Sequence, residues 1–247
     1  MKIVIRCAKR KRDEGYWQTK ESKPVLFVAH PELNPDVRNF DGLYDFPDAV
    51  SDHPNDTWRK LLSDYNKPPT HNPFNLHRAY DLYKPKPPYT DLYRGLVTKF
   101  GVDNVYILSA GWGLIRSDFF TPQYDITFSN SKDVKPYQKR EKEDNKYKDY
   151  CMLPKDTTDT IVCLGSNAYI PLFRRLTTHI QSKKVVFYNS CRPPNAPGWF
   201  LKHYDTNNQR AWVYECARNI IDVFCPYSES RIKQLTAHEL EKLLESI

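Results

Sequence analysis

The sequence lacks the features that mark several common classes of protein. No apolar run approaches the length of about 18 residues that a transmembrane helix needs, and the mean hydropathy is −0.71. Arg6 and the basic residues 9–12 interrupt the first apolar stretch, so we expect no signal peptide. No G-x-x-x-x-G-K-[ST] motif and no kinase glycine loop is present, which argues against P-loop NTPases and protein kinases. Because the sequence has no run of transmembrane length and no expected signal peptide, we expect a protein that makes no membrane contact.

No two cysteines form a C-x-x-C pair, which argues against a zinc ribbon or a thioredoxin-type site. The six cysteines are spread along the chain at Cys7, Cys151, Cys163, Cys191, Cys216 and Cys225. Cys7 and Cys163 lie in apolar, strand-like runs, where a free thiol packs as a small hydrophobe. We therefore expect a cytoplasmic protein with reduced cysteines, no metal site and no cofactor.

The charge of the chain favours a polyanionic partner. Its 247 residues include 37 Lys and Arg against 30 Asp and Glu, a net charge of +7. The basic residues 9–12 follow directly on an apolar strand, and Lys183, Lys184 and Arg192 border another. Basic loops at strand ends either bind phosphate groups or form a solvated rim, and the sequence leaves both possibilities open.

Apolar segments alternate along the chain as strands and helices. Continuous apolar strands are predicted at residues 3–5, 24–29, 105–108, 160–165 and 185–188. Helices are predicted at residues 92–100, 168–176 and 209–224, and a capping box of Thr236 and Glu239 opens a last one. This alternation predicts an α/β fold with a mostly parallel central sheet covered by helices, in a single domain over residues 1–247.

Two segments do not follow this alternation. Residues 31–90 are rich in Pro, Asn and Asp, and we expect an insertion with helical pieces near residues 57–65 and 76–83. Its Tyr- and Pro-rich part is expected to enlarge the ligand pocket. Residues 129–150 are nearly all polar and charged, and they are predicted to form either a helical arm or a mobile lid.

The order of the predicted strands also indicates where a ligand binds. In parallel α/β sheets the ligand lies beyond the carboxyl ends of the strands. Residues 7–13, 109–113, 165–167 and 189–192 each follow a predicted strand. We therefore expect these four loops to meet at one edge of the sheet and to form the binding site.

Three segments resemble YaaA-like proteins. K-I-V-I-R-C-A-K-R-K at residues 2–11 resembles the opening strand and C-x-x-x-K loop of that family. V-Y-I-L-S-A-G-W-G-L-I at residues 105–115, followed by P-Q-Y-D-I-T at residues 122–127, resembles its S-A-x-x-G-L and Y-D signature. T-I-V-C-L-G-S-N-A-Y at residues 160–169 resembles its strand-Gly-x-x-x-Tyr element. The resemblance implies DNA binding and a glycosylase-like cleft.

A fainter resemblance connects residues 160–168 and 185–208 with the uracil-DNA glycosylase superfamily. In that superfamily an L-x-G-x-x-A strand is followed by a proline-containing loop that enters the minor groove and by a G-F-F-x-x-x-H-F segment. Here G-W-F-L-K-H-Y at residues 198–204 occupies the corresponding place. N-S-C-R-P-P at residues 189–194 replaces the usual H-P-S, and no G-Q-D-P-Y follows the first strand. The resemblance implies a related α/β architecture with a pocket for a flipped base.

Together the two resemblances predict a DNA-binding N-glycosylase. Such an enzyme flips a modified base out of the duplex, cleaves its N-glycosidic bond and leaves an abasic site. Hypermodified bases occur in viral genomes, so antiviral defence is the setting in which we expect this activity. Two alternatives stay open at this point: a non-catalytic DNA-binding stress-response protein and an enzyme that modifies tRNA bases.

An N-glycosylase needs a carboxylate close to the sugar and hydrogen-bonding groups that face the base. Asp125 is the first candidate, because its alternation with Ile126 and Phe128 aims it inward, although a turn Asp has the same pattern. Asp13 follows the first strand, as the superfamily's water-activating Asp does, or else balances the basic loop. Asn189 lies at a strand end, where its amide either pairs with a base edge or forms an Asx turn.

A larger set of residues is predicted to surround the base and the DNA. Trp112 is expected to stack on the base, between glycines that let the backbone approach it, or else to fill the core. Gly165 and Ser166 are expected to present backbone amides at a helix start. The residues expected in the base pocket are Cys7, Lys11, Ser109, Gly111, Trp112, Gly113, Tyr124, Gly165, Ser166 and Tyr169. The residues expected to bind DNA are Lys9, Arg10, Arg12, Arg192, Pro193, Trp199, Lys202 and His203.

Overall fold

The computed structural model describes residues 1–33 and 40–247. In chain order, the strands are β1 (Lys2–Arg6), β2 (Trp17–Gln18), β3 (Pro24–Val28), β4 (Leu43–Asp45), β5 (His77–Arg78), β6 (Val105–Ser109), β7 (Gly113–Arg116), β8 (Phe120–Thr121), β9 (Tyr124–Asp125), β10 (Tyr150–Cys151), β11 (Ile161–Leu164), β12 (Lys184–Tyr188) and β13 (Phe200–His203). The helices are α1 (Trp58–Tyr65), α2 (Ala79–Leu82), α3 (Leu92–Phe100), α4 (Ile170–Thr177), α5 (Trp212–Phe224), α6 (Glu229–Gln234) and α7 (Ala237–Glu245). Residues 34–39, part of the predicted insertion, lie outside the described residues.

Seven strands form the central sheet, in the order β10-β7-β6-β1-β11-β12-β13. From β6 to β13 all neighbours are parallel, whereas β7 is antiparallel to β6 and pairs in parallel with β10 at the edge. Every residue of β6 and β11 is buried, so both faces of the sheet centre are covered. The predicted α/β fold with a mostly parallel sheet is therefore confirmed.

The helices pack on this sheet through their apolar faces. α3 and α5 pack against each other and against β6 and β11, whereas α4 packs against β7 and β10. The buried face of α5 has the predicted helical spacing and includes Trp212, Val213, Cys216, Ile220 and Phe224. The predicted capping box also forms, since the Thr236 hydroxyl accepts from the amide of Glu239 at 3.2 Å. Within the described ranges, no helix has the length and apolar character needed to cross a bilayer.

The strand predicted at residues 24–29 forms, but it belongs to a second sheet. There β3 pairs with β2, β4 and β9. The insertion at residues 31–90 contributes β4, α1, β5 and α2, and one hydrophobic core extends through both sheets. Because β9 carries Tyr124 and Asp125, the second sheet positions part of the candidate site.

The charged segment at residues 129–150 contains no α-helix, so the prediction of a helical arm is wrong. No apolar stripe recurs along this segment, and a helix there would have no face to bury. A short 3-10 turn at Pro136–Gln138 forms instead. The amides of Ala29 and His30 both donate to the carbonyl of Tyr137 at 2.9 Å, which attaches the turn to the end of β3. The mobile-lid alternative stays a prediction.

Candidate functional site

Four parallel strands end at the same edge of the central sheet. β1 lies between β6 and β11, with Arg6 opposite Leu108 and Ile5 opposite Leu164. β12 continues the sheet beside β11 in the same direction. The loops after these four strands therefore lie along one edge, as the alternation of strands and helices predicts.

Two arginines hold the S-A-G-W-G turn that follows β6. A guanidinium nitrogen of Arg140 donates to the carbonyl of Ala110 at 2.6 Å. Arg59 donates to the carbonyls of Gly111 and Trp112, at 3.0 and 3.2 Å. Arg59 belongs to α1 and Arg140 to the charged segment, so both segments that interrupt the strand–helix alternation help to shape this turn.

Buried carboxylates fix both arginines. Asp48 accepts two hydrogen bonds from Arg59, at 2.6 and 2.9 Å, and the two side chains are 4% and 5% exposed. Asp149, whose side chain is 1% exposed, accepts from Arg140 at 2.9 Å and also from Arg175. Such two-point pairing sets the orientation of a guanidinium group. Sequence reasoning missed these residues, and the one available signal was the place of Arg59 on the apolar face of a predicted helix.

Trp112 lies inside the core and does not face a ligand. Its side chain is fully buried, and its ring packs edge-on against Phe27 with the centroids 5.1 Å apart. The Arg59 guanidinium lies 5.2 Å from the centroid of the indole. Trp112 therefore fills the core, the alternative that the sequence left open, and is not available to stack on a base.

The packing of the turn itself requires its glycines. Gly113 has a φ of +87°, and a Cβ at this position would lie 2.5 Å from the carbonyl oxygen of Tyr150. The amides of Gly111 and Trp112 donate to the hydroxyl of Ser109, at 3.3 and 3.2 Å. The glycines and amides of this turn therefore form its structure, and their place in a base pocket stays a prediction.

A cluster of five tyrosines surrounds Cys7 at the end of β1. This tyrosine cluster consists of Tyr83, Tyr93, Tyr124, Tyr169 and Tyr214. The Cys7 sulfur lies 3.1 Å from the hydroxyl of Tyr169. The hydroxyls of Tyr83 and Tyr124 are 2.8 Å apart, and Ser109 donates to that of Tyr124 at 3.0 Å. Burial raises the pKa of all five phenols, so they are neutral hydrogen-bonding groups at neutral pH.

Two cations reach the tyrosine cluster, and neither has a carboxylate within 4.0 Å among the described residues. The Arg6 guanidinium lies 5.3 Å from the ring centroid of Tyr214, and its buried Nε has no hydrogen-bond partner there. The Lys11 amine lies 4.1 Å from the ring centroid of Tyr124 and donates a long hydrogen bond, of 3.5 Å, to the carbonyl of Lys9. Burial lowers the pKa of Lys11. The carboxyl end of β1 therefore brings two basic side chains to the tyrosine cluster.

Asp125 is a half-buried carboxylate on β9, close enough to Lys11 to act on its charge. Its negative charge raises the pKa of Lys11, against the larger effect of burial. One of its oxygens accepts a hydrogen bond from the side-chain amide of Gln138. In the part of the chain that the structure describes, no cation lies within 4.0 Å of this carboxylate. Asp125 is therefore a half-buried carboxylate that is hydrogen-bonded to Gln138 and has no contact ion pair among the described residues.

The other two predicted catalytic residues have different surroundings. Asp13 is exposed in the loop after β1, where its charge adds to the effect of burial in raising the pKa of Tyr16. The side-chain nitrogen of Asn189 donates to the carbonyl of Tyr204 at 2.6 Å, and its oxygen is buried without a partner among the described residues. Asn189 therefore connects the ends of β12 and β13 through one of its two side-chain N–H groups.

The helix start predicted near Gly165 lies further along the chain. α4 begins at Ile170, and the carbonyl of Ser166 accepts from the amides of Tyr169 and Ile170, at 2.7 and 3.3 Å. Gly165 and Ser166 therefore do not open the helix. Their turn instead places Tyr169 at the N-terminus of α4, with its hydroxyl beside Cys7.

Two adjoining cavities, of about 1000 and about 800 Å³, form a basic groove beside the tyrosine cluster. Its charged lining consists of Lys139, Arg140, Lys142, Lys146, Arg174, Arg175 and Arg192, against Glu141, Glu143 and Asp144. Phe128 lines the first cavity, and its ring packs edge-on against Tyr169 with the centroids 5.1 Å apart. The excess of cations matches the charge of a phosphate backbone.

The predicted DNA-binding residues divide between this groove and other surfaces. Arg192 and Pro193 are exposed and line the second cavity. Lys202 donates to the carbonyls of Leu244 and Glu245, at 2.7 and 2.5 Å. Two of its three N–H donors therefore bind the end of α7, as cations commonly do at helix C-termini.

Two further predicted DNA contacts lie on or next to the edge strand β13. His203 is exposed, and its Nδ1 lies 3.0 Å from a carboxylate oxygen of Asp205. Trp199 is half-buried, with its ring 5.3 Å from that of Phe173. Trp199 therefore packs against α4, and it also lines a separate cavity with Arg174 and Lys184.

The basic loop after β1 is exposed at Lys9, Arg10 and Arg12, as a phosphate-binding loop requires. The Arg12 side chain donates to the carbonyl of Asp81 at 2.9 Å. Lys9 and Arg10 have no carboxylate within 4.0 Å among the described residues. The solvated-rim alternative for this loop stays open beside the predicted DNA contact.

The cysteines are not arranged as metal ligands. All six are free thiols, with Cys191 and Cys225 exposed. Over residues 1–33 and 40–247, no three His, Cys, Asp or Glu side chains come together to hold a metal ion. The groups that the candidate site offers are an amine, a guanidinium, a carboxylate, a thiol and phenols.

The comparisons with known proteins supply no family for this chain. No protein-family model, no curated protein and no solved structure matches it. The resemblances to YaaA-like proteins and to the uracil-DNA glycosylase superfamily therefore stay predictions, and the function has to be inferred from the residues of the candidate site.

Proposed function

We propose that this protein is an N-glycosylase that excises a modified base from DNA. The observation that carries the proposal is the half-buried Asp125 carboxylate, without a contact ion pair among the described residues, acting on the buried amine of Lys11. The Lys11 amine lies 4.1 Å from the ring centroid of Tyr124, a member of the tyrosine cluster, and Phe128 connects that cluster with the basic groove. An acid–amine pair beside a cationic groove is an arrangement that base excision can use.

Cleavage of an N-glycosidic bond needs charges of both signs. The bond breaks through an oxocarbenium-like sugar, which a nearby carboxylate stabilises, and the departing base takes up negative charge. In the proposed complex, Asp125 lies against the sugar, while Arg6 gives the departing base a positive partner. The neutral phenols of the tyrosine cluster supply hydrogen bonds around the base.

The basic groove supports a nucleic-acid substrate. Lys142, Lys146, Arg174 and Arg192 line it, and none of them has a carboxylate within 4.0 Å among the described residues. Cations of this kind bind phosphates and gain affinity by releasing counterions. The target base has to leave the stack at a cost of about a few kcal/mol. The exposed loop of Arg192 and Pro193, at the side of the groove, is the part of the site that would fill the space the base leaves.

The burial of the tyrosine cluster favours a second candidate function. Cys7 is 4% exposed and Tyr169 7%, so a base reaches them only after the surrounding side chains move. Binding along the groove needs no such opening. A non-catalytic DNA-binding protein would use the groove alone.

Base release from a panel of DNAs separates the two functions. Purified protein is incubated with duplexes that carry hypermodified bases and with unmodified duplexes of the same sequence, and abasic sites are scored by alkaline strand cleavage. We expect alkali-labile sites on one class of modified DNA and none on its unmodified control. Binding to every duplex without strand cleavage would contradict the proposal and support the binding protein. Base release from tRNA alone would contradict DNA as the substrate.

A further inference from the structure

Lys11 has the surroundings of a nucleophilic lysine. It is half-buried, its amine lies 4.1 Å from the ring centroid of Tyr124, and its one described hydrogen bond is long. Among the described residues no carboxylate contacts the amine and holds it as an ammonium ion. Burial lowers its pKa, so a larger fraction of the amine is unprotonated than in an exposed lysine.

Asp125 supplies a carboxylate close enough to affect the charge of this amine. Its carboxylate acts on Lys11 electrostatically, but it forms no contact ion pair with it. The side-chain amide of Gln138 holds the carboxylate in place. A nucleophilic amine and a separate carboxylate base are the two groups needed to open a sugar ring and then remove a proton from it.

We propose that the amine of Lys11 displaces the base, forms an imine with C1′ of the deoxyribose and so gives the protein a lyase activity on the DNA strand. This inference depends on the proposed function and names the nucleophile that the proposed function leaves unspecified. It distinguishes Lys11 from the other basic residues of its loop, which are exposed and are expected to contact phosphates only.

The proposed steps need no oxidant or reductant. The Lys11 nitrogen forms a bond to C1′ while the bond to the base breaks, and the base leaves with that electron pair and takes up one of the two protons of the amine. The C1′–O4′ bond then opens, O4′ takes the proton released by the nitrogen, and a C1′=N bond forms. Asp125 removes a C2′ proton, and the C3′–O bond breaks with departure of the 3′ phosphate. Water finally hydrolyses the imine and restores the amine.

Borohydride trapping on DNA that already contains an abasic site tests this inference. Sodium borohydride reduces an imine to a stable amine, so a lysine that attacks C1′ becomes covalently attached to the strand. We expect wild-type protein and Lys242→Arg, the same change at an exposed lysine of α7 outside the groove lining, to give the protein–DNA adduct. Lys11→Arg keeps the positive charge but cannot form the imine, and we expect the adduct to be lost. Peptide mapping of the wild-type adduct is expected to place the sugar on Lys11, and this readout does not depend on how well the variant folds.

The outcomes of this test and of the base-release test are independent, because the abasic site is supplied in advance. An adduct on Lys11 without base release from any modified DNA would support the lyase chemistry and contradict the proposed function. Base release without an adduct would support the proposed function with water as the nucleophile, and it would overturn the inference. An adduct on a different lysine, or an undiminished adduct in a folded Lys11→Arg variant, would also overturn it.

Discussion

At the scale of single residues, the pKa of Lys11 determines the pH range in which its amine reacts. Burial lowers that pKa below its ordinary value of 10.5, Lys9 lowers it further, and Cys7 and Asp125 raise it. The amine attacks only after it loses its proton. We therefore expect the rate of borohydride trapping on abasic DNA to rise with pH and to level off before pH 10.5.

Substitution of Asp125 tests whether its charge raises the pKa of Lys11. Asp125→Asn removes a charge that raises the pKa of Lys11, so the midpoint of the trapping profile is expected to move to lower pH. Asp133→Asn alters an exposed carboxylate of the charged segment and is expected to leave the midpoint unchanged. A midpoint that moves to higher pH in Asp125→Asn, or equally in both variants, would contradict this account of Lys11.

The buried ion pair of Arg59 and Asp48 is expected to contribute to the stability of the fold. Arg59→Met leaves the Asp48 carboxylate buried without its cation and removes two donors from the S-A-G-W-G turn. We expect this substitution to lower the free energy of unfolding by about 3–5 kcal/mol, measured by denaturant titration. Lys60→Met, at the next position of α1, alters an exposed lysine and is expected to leave stability nearly unchanged. Equal losses in the two variants would contradict the structural role of Arg59.

At the scale of elements, the tight connection between β6 and β7 depends on Gly113. Gly113 and Gly198 both have a positive φ, of +87° and +79°, but only Gly113 is closely surrounded. A Cβ at Gly113 would lie 2.5 Å from the carbonyl oxygen of Tyr150, whereas a Cβ at Gly198 meets no atom within 4 Å.

The two glycines therefore form a matched pair of substitutions. Gly198→Ala places a Cβ on a residue with a positive φ but creates no close contact. It is expected to lower the free energy of unfolding by about 1–2 kcal/mol, the cost of the strained backbone. Gly113→Ala adds displacement of β10, so we expect a clearly larger loss in the same unfolding titration. Losses of the same size at both positions would show that β10 does not restrict the turn.

Elements with a continuous apolar run were predictable from the sequence, and those without one were not. The cores of β1, β6, β11 and β12 are buried runs of Val, Ile, Leu and Phe, whose pattern alone indicates strands in a covered sheet. β13 alternates only weakly between exposed and half-buried residues, and β10 spans two residues. The strand at residues 24–29 was found, but an apolar run does not reveal which sheet it joins.

At the scale of the whole molecule, the site was predictable only where topology fixes it. The strands run parallel, which brings Cys7, Ser109 and Asn189 to one edge of the sheet. The alternation of strands and helices in the sequence predicted this parallel direction. The contacts that residues 31–90 and 129–150 make with the site could not be predicted from the sequence. Arg59 and Arg140 donate to the carbonyls of the turn that follows β6, and Trp112 of that turn is fully buried against Phe27.

The basic groove predicts a specific dependence of DNA binding on salt. Arg174→Gln and Arg192→Gln each remove a cation that lines the groove. For each phosphate that a variant no longer neutralises, the slope of log K against log salt concentration is expected to decrease in magnitude by about 0.9 on duplex DNA. Lys242→Gln, on α7 outside the groove lining, is the matched control and is expected to leave the slope unchanged. Anisotropy titrations at several salt concentrations measure the slopes, and a similar change in all three variants would contradict binding along the groove.

The rate of abasic-site formation in a single turnover measures how much Asp125 contributes to the proposed base excision. The comparison is between wild type, Asp125→Asn and Asp133→Asn on the modified duplex that the wild-type protein acts on. We predict that Asp125→Asn folds and binds the duplex but forms abasic sites about a hundredfold more slowly, because the developing sugar cation loses its carboxylate. Asp133→Asn is predicted to act at the wild-type rate. An Asp125→Asn variant that releases the base as fast as wild type would contradict the account.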